Sequence, residues 1–211
     1  TGHAWRVYKA GGRLLCGHTL PEGMKENQAF DKPIVTPSTK ASSGKDEDIS
    51  LTEIVEQKIL TQKQLDKLVD ISLQLFERGT EFAKSQGLIL VDTKYEFGRH
   101  NGKMILIDEV HTPDSSRYFY ADEYLERFES NREQKQLSKE FVREWLMVNG
   151  FQGGKTEIIP TMTPEIIEGI TGRYTELYNV LSGKTLVPRS YENIIEEMEQ
   201  NIINGIEILN A

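Results

Sequence analysis

The sequence predicts an α+β chain, mixed in its first half and helix-rich after residue 50. Three observations carry that expectation. Apolar residues recur at helical spacing from about Gln62 to Gln86, with Leu65, Leu68, Val69, Leu75, Phe76 and Phe82 marking one side. The spacing returns at the end, where Ile194, Met198, Ile202, Ile206 and Leu209 share a stripe. Between them lies the most β-like text, LILVDTKYEF, a turn at RHNGK, then MILIDEV.

The elements follow in order. Residues 1–20 predict a short hairpin, Trp5–Tyr8 and Leu14–Cys16 around Gly11-Gly12. Aromatic and apolar residues arrive directly after Thr1, and a preceding portion is expected to be missing. Pro21–Asp48 is polar, and Pro33 and Pro37 block regular helix. Ser50-Leu51-Thr52-Glu53 has capping-box spacing and predicts a helix start. After the β-like segment, Asp122 begins a helical run, and Ser138 opens another over 138–149. Thr163-Pro164 supplies an N-cap and a proline at the first helical position. Leu186-Val187-Pro188-Arg189-Ser190 resembles a protease-cleavage linker, but a patterned helix follows, so the preferred reading is a loop with Ser190 as N-cap.

Composition narrows the function classes. The 211 residues, 37% hydrophobic and 27% charged, form a globular composition, enough for one large domain or two small ones. A net charge of −8 argues against a duplex-binding surface. Apolar runs such as Leu88–Val91 and Met104–Ile107 are too short to span a bilayer. Cys16 is the only cysteine and no signal peptide is visible, so a reducing, cytoplasmic setting is expected.

Alternation along a strand puts Asp92, Lys94 and Glu96 on one face. A solvated face with cross-strand ion pairs accounts for that pattern. The returning strand adds Asp108 and Glu109, then HTPDSSR. A two-residue loop at Asn101-Gly102 would put Asp108 on the face opposite Glu96. A three-residue loop at 100–102, with Gly102 left-handed, would bring Asp108 opposite Lys94 and diagonal to Glu96. Only this second register gathers Asp92, Glu96 and Asp108, and it is the one expected. Such carboxylates suit Mg²⁺, whereas Cys16 and the four histidines show no zinc-ligand spacing. Lys94 and Arg117 offer positive charge for anionic substrates.

LVDTKYEFG, then IDEV, then TPDSSR closely resembles the SAICAR synthetase family of purine biosynthesis. LPEGMKENQAFDKPIVTPSTKASSGKDEDIS and SKEFVREWL extend the resemblance over nearly the whole chain. It implies a two-lobed fold related to ATP-grasp enzymes and protein kinases. It also implies a ligase that joins carboxyaminoimidazole ribonucleotide (CAIR) to L-aspartate, with ATP and Mg²⁺, through an acyl phosphate. On this resemblance Glu96 and Asp108 are the metal ligands, and Asp92 and Lys94 lie beside the phosphates and the reacting carboxylate. Asp114, Ser115, Ser116 and Arg117 contact CAIR, with Arg117 on its phosphate. Lys40 and Asp48 match the loop framing the substrate side, where Thr36, Ser38 and Thr39 fit turn chemistry equally well. Lys139 and Arg143 share a helix face and suit either anion binding or surface charge, because Ser138 stands where the family usually has Asp. His3 replaces the family's phosphate-facing Ser.

No GxGxxG or Walker-type loop occurs in these residues. On the resemblance, residues 1–20 are expected to be a remnant of an N-terminal lobe and hinge, and 21–211 the C-terminal substrate- and metal-binding lobe. Residues 1–211 alone are expected not to complete the reaction. A kinase-like phosphotransferase and a catalytically silent module remain the alternatives. The expected partners are CAIR, aspartate and ATP, without nucleic acid or membrane, and with homo-oligomerisation left open.

Overall fold

The computed structural model describes residues 2–40, 46–154, 156–188 and 192–210. It opens on helix α1 (His3–Lys9), where the sequence predicts a strand. Ala4, Trp5, Val7 and Tyr8 pack on a small core of Leu15, Cys16, Leu20 and Met24. Over so few residues, apolar positions 4, 5, 7 and 8 fit a helical face as well as an alternating one. Packing on that core, with Trp5 stacked on Tyr8 at 5.7 Å between ring centroids, accounts for the helix. The predicted hairpin forms just downstream, as β1 (Leu14–Leu15) paired with β2 (His18–Thr19).

The polar connection that follows contains no described helix, as its prolines predict. Its ends are tied by an isolated bridge between Ser38 and Asp48 and by Ile49 N–H donating to the Pro37 carbonyl at 3.1 Å. Helix α2 (Leu51–Glu56) starts at the expected capping box. Ser50 Oγ accepts from the Glu53 N–H at 3.1 Å, and the Glu53 carboxylate accepts from the Ser50 N–H at 2.8 Å. A second box, Thr61 with Gln64, opens α3 (Gln62–Ser85). Leu65, Gly79 and Ala83 are its buried positions. Phe82, expected inside, is 51% exposed, because the next position, Ala83, turns to the core instead.

The main core lies between α3, a three-stranded antiparallel sheet and α6 (Pro164–Ser182). The sheet runs β3 (Leu88–Thr93), β6 (Ser116–Tyr120), β7 (Gln136–Leu137). Leu88, Leu90, Tyr118 and Leu137 meet Ala83 and Leu177 there. Burying each of these leucines is worth about 1.5–3 kcal/mol. Strand β3 shifts register between Leu90 and Asp92, and the β-like run breaks at Lys94-Tyr95. What the sequence presents as one strand is therefore two, in two sheets.

The second is β4 (Glu96–His100), paired with β5 (Lys103–Ile107). Here the expected three-residue loop is corrected: His100 pairs with Lys103 and Glu96 with Ile107. Asn101 and Gly102 both lie at positive φ, 48° and 74°, as a two-residue type I′ turn requires. Asn tolerates that region and Gly prefers it, so the shorter loop closes without strain.

Helix α4 spans Ala121–Glu129. Ser138 Oγ accepts the Glu140 N–H at 3.2 Å, starting α5 (Glu140–Val148). Helix α6 begins at Thr163-Pro164 as predicted. Helix α7 (Ile194–Asn210) carries the predicted stripe, yet Met198, Ile202, Ile206 and Leu209 are each more than half exposed. Arg189 and Ser190, the latter the expected N-cap, lie outside the described residues. No described helix is long and apolar enough to cross a membrane.

Candidate active site

The expected site residues separate into two charge clusters joined by one turn. The first surrounds Glu96 at the start of β4. Lys94 Nζ donates to Glu96 Oε1 at 2.6 Å and lies 3.5 Å from Asp108 Oδ2. Lys40 Nζ reaches both Glu96 oxygens, at 2.8 and 2.9 Å. Hydrogen bonds from Lys40 and Lys94 hold the Glu96 carboxyl down to about 2, so it stays ionised at neutral pH.

Asp108 joins this cluster by a route different from the expected one. In the observed register a continued strand would carry it to the face opposite Glu96. Strand β5 ends at Ile107 instead, and Asp108 takes φ 66°. The left-handed residue returns the carboxylate to the side of Lys94.

Asp92 does not join them. Its partner is Arg117 across β3–β6, 3.7 Å from carboxylate to Nε. The expected trio of Asp92, Glu96 and Asp108 is therefore corrected to a pair. No group of three or more His, Cys, Asp or Glu side chains with metal-holding geometry occurs among the described residues. The register shift at Leu90/Asp92 and the break at Lys94-Tyr95 send the acids to different sheets.

The second cluster gathers around Glu140 at the start of α5. Arg6, Arg117 and Arg143 approach its carboxylate at 3.9, 3.7 and 3.9 Å. With Asp92 beside Arg117, three guanidiniums and two carboxylates meet here. Desolvation pushes Asp92 up, Arg117 opposes that, and Glu140 adds to it. Burial, then Arg143, push Arg6 down. Arg117 is 12% exposed, and its Nε has no hydrogen-bond partner. Gly2 lies against both Asp92 and Arg117.

The turn between the clusters is built from hydroxyls. Ser115 Oγ accepts the Thr112 N–H at 3.1 Å, Ser116 and Thr93 hydroxyls pair at 2.9 Å, and both serines are buried. Their hydroxyls thus shape the turn. The Lys94 N–H donates to the Ser115 carbonyl at 2.9 Å, tying the first cluster to it. Asp114 Oδ1 accepts from Tyr174 of α6 at 2.6 Å. Lys139 meets this turn through its backbone N–H, which donates to the Pro113 carbonyl at 3.2 Å, while its side chain is exposed. Asp48 accepts from His3 Nε2 at 2.7 Å.

Sequence reasoning missed Arg6, Glu140 and Tyr174. Reading residues 5–8 as a strand hid Arg6. Glu140 had one local signal, its spacing of three from Arg143 on a helix. Tyr174 had none.

The arrangement offers two carboxylates that share an ammonium, near a cluster of guanidiniums. The chain is similar to known proteins. A family model described as SAICAR synthetase matches residues 2–158. The phosphoribosylaminoimidazole-succinocarboxamide synthase of Bacteroides thetaiotaomicron is 56% identical over 204 residues, covering 96% of this chain and 65% of its own length. The chain thus spans slightly less than two thirds of that relative. The Saccharomyces cerevisiae SAICAR synthase solved with SAICAR superposes with a TM-score of 0.71 at 33% identity, covering 89% of this chain and 58% of its own. A SAICAR synthetase solved in complex with ADP shares the fold, at a TM-score of 0.57 and 23% identity, over 78% of this chain and 57% of its own.

Proposed function

The chain belongs to the SAICAR synthetase family, and from that premise we propose that it carries the substrate- and metal-binding part of an ATP-dependent carbon–nitrogen ligase of de novo purine biosynthesis. The reaction joins CAIR to L-aspartate and releases ADP and phosphate. Residues 21–211 form this part, with 1–20 leading into it. The observation that carries the reading is the Lys94 ammonium held between Glu96 and Asp108, with Arg6, Arg117 and Arg143 gathered around Glu140.

A carboxylate is a poor electrophile. Taking the γ-phosphoryl group of ATP makes the CAIR carboxylate an acyl phosphate. The aspartate amine then attacks the acyl carbon, its proton leaves, and phosphate departs. Such chemistry depends on positioning and charge neutralisation.

Glu96 and Asp108 fit Mg²⁺, because they are oxygen donors converging on a point where a cationic group already sits. Bound Mg²⁺ would neutralise phosphate charge there. Lys94, 59% exposed, can turn from the carboxylates to a phosphoryl oxygen, and Lys40 does the same from the substrate loop. Arg117, Arg6 and Arg143 supply donors for the ribose phosphate. Asp92 keeps Arg117 oriented at the edge of the reacting group. Asp114, with Ser115 and Ser116 shaping its turn, faces the nucleotide substrate, as do Asp48 and Lys139 at the rim. The ADP complex of a structural neighbour supports nucleotide binding. The single buried thiol, Cys16, suits a reducing cytoplasm.

The test is ADP release from ATP with CAIR, with and without aspartate, by a full-length enzyme of the family that carries this chain. Release that needs both substrates, and that Asp108→Asn lowers at least about 100-fold through its lost charge, is expected. Phosphate transfer to CAIR at the same rate without aspartate would favour the kinase-like alternative. CAIR binding unaffected by Mg²⁺ would favour the silent module.

A further inference from the structure

His111 sits between Asp108 and Asp114 and has no part in the chemistry above. Its environment is unusually specific. The ring lies against Gly79 of α3 so closely that a Cβ there would come within 2.4 Å of Cε1 and 2.7 Å of Nε2. No other residue type leaves room for the ring in that place. His111 Nε2 is hydrogen-bonded to the Tyr95 hydroxyl at 2.6 Å, with the two rings edge to face. The His111 carbonyl accepts from Tyr118 at 2.8 Å. The residue lies at φ 59°, in the left-handed region, which histidine enters more often than most side chains.

These contacts link three parts of the chain. Gly79 belongs to the long helix against the main sheet. Tyr95 lies between Lys94 and Glu96, at the break where the chain changes sheets. His111 ends the short segment that begins at Asp108, the other carboxylate. Asp108 is off the β4–β5 ladder, so sheet hydrogen bonding does not fix its distance from Glu96.

We propose that His111 is a positioning residue: its ring, seated in the notch at Gly79 and bonded to Tyr95, sets the separation of Glu96 and Asp108 and so their capacity to share one divalent cation. This rests on the reading of those two carboxylates as the metal pair. Partners behind metal ligands change affinity through ligand orientation and not through charge, which is the effect assigned here.

The experiment is Mn²⁺ binding to the purified protein, followed by the loss of free-ion paramagnetic resonance signal, alongside thermal unfolding of each variant. Asp108→Asn tests the underlying reading and is expected to abolish measurable binding. Gly79→Ala, which pushes the ring out, and His111→Ala, which removes it, should each weaken binding about tenfold with both carboxylates intact. The double variant should bind no worse than His111→Ala alone, because the added methyl then fills vacated space. Tyr95→Phe keeps the packing and removes only the hydrogen bond. It is expected to weaken binding in the same direction, and it serves where the other variants do not fold. Unchanged affinity in folded Gly79→Ala, His111→Ala or Tyr95→Phe, with Asp108→Asn still disabling, would overturn the positioning role and leave the metal reading standing. Unchanged affinity in Asp108→Asn would overturn both.

Discussion

Under the proposed function, Arg117 is the residue placed to take the anion of the substrate. Its guanidinium is mostly buried, yet Asp92 and Glu140 both stay at 3.7 Å, beyond a short bidentate contact. The charge is compensated while the donor fork is not taken up by either carboxylate, and Nε makes no hydrogen bond. A phosphate brought to the cleft can use donors that the protein leaves underused. Arg117→Lys keeps the charge and loses the planar fork, so calorimetric affinity for CAIR should fall about tenfold or more, and Arg117→Ala should fall further. The alanine variant should also lose up to about 3 kcal/mol in urea unfolding, because Glu140 loses a half-buried partner. Normal CAIR affinity in both variants, with only stability reduced, would make Arg117 a structural counter-ion.

Among the elements, α2 follows closely from local text. Ser50 and Glu53 exchange hydrogen bonds at its start, and the bonds from Ser50 hold the Glu53 carboxyl below its usual 4.5. Because the folded value is the lower one, this contribution is complete above 4.5 and disappears as pH falls through the depressed value. Ser50→Ala should cost about 1 kcal/mol at pH 7. Glu53→Gln retains an acceptor without the charge, so the wild-type advantage over it in urea unfolding should be larger at pH 7 than at pH 3. An equal difference at both values would remove the carboxylate from the account. The α2 box, the Ser138 hydroxyl that accepts from Glu140 before α5, and Thr163-Pro164 before α6 are each written within four residues, which is why these helices were legible. The β4–β5 register was not, because Asn101-Gly102 serves either loop and nothing local marks Asp108 as leaving the strand. The site was half legible for the same reason. Glu96, Asp108 and Arg117 stand in distinctive motifs, whereas Arg6 and Glu140 meet only through packing of α1 near α5. Asp92 was misplaced by strict alternation across a register shift.

At the scale of the molecule, the site depends on a helix that lies beyond the segment matching the family model. That segment ends at residue 158, whereas α6 begins at Pro164. Helix α6 places Leu177, 1% exposed, in the main core beside Leu88, Leu90 and Tyr118. From the same helix Tyr174 donates to Asp114, and Arg173 donates to the Gln136 carbonyl at 3.1 Å while lying over Phe141. The core and the turn at Asp114 are thus braced by one element, and loss of its packing should reach both. Helix α7 is the contrast, since its apolar stripe is exposed and contributes to none of the core clusters. Leu177→Ala should therefore cost about 2–5 kcal/mol through lost transfer energy and a residual cavity. Ile202→Ala should stay within about 0.5 kcal/mol. Tyr174→Phe separates the two roles of α6, because it keeps the ring and removes only the hydrogen bond to Asp114. It should weaken CAIR binding several-fold, on the order of 1 kcal/mol, with the urea midpoint close to wild type. If Leu177→Ala and Ile202→Ala shift the midpoint equally, α6 is no more part of the core than α7. If Tyr174→Phe leaves CAIR affinity intact, the brace on Asp114 serves stability alone.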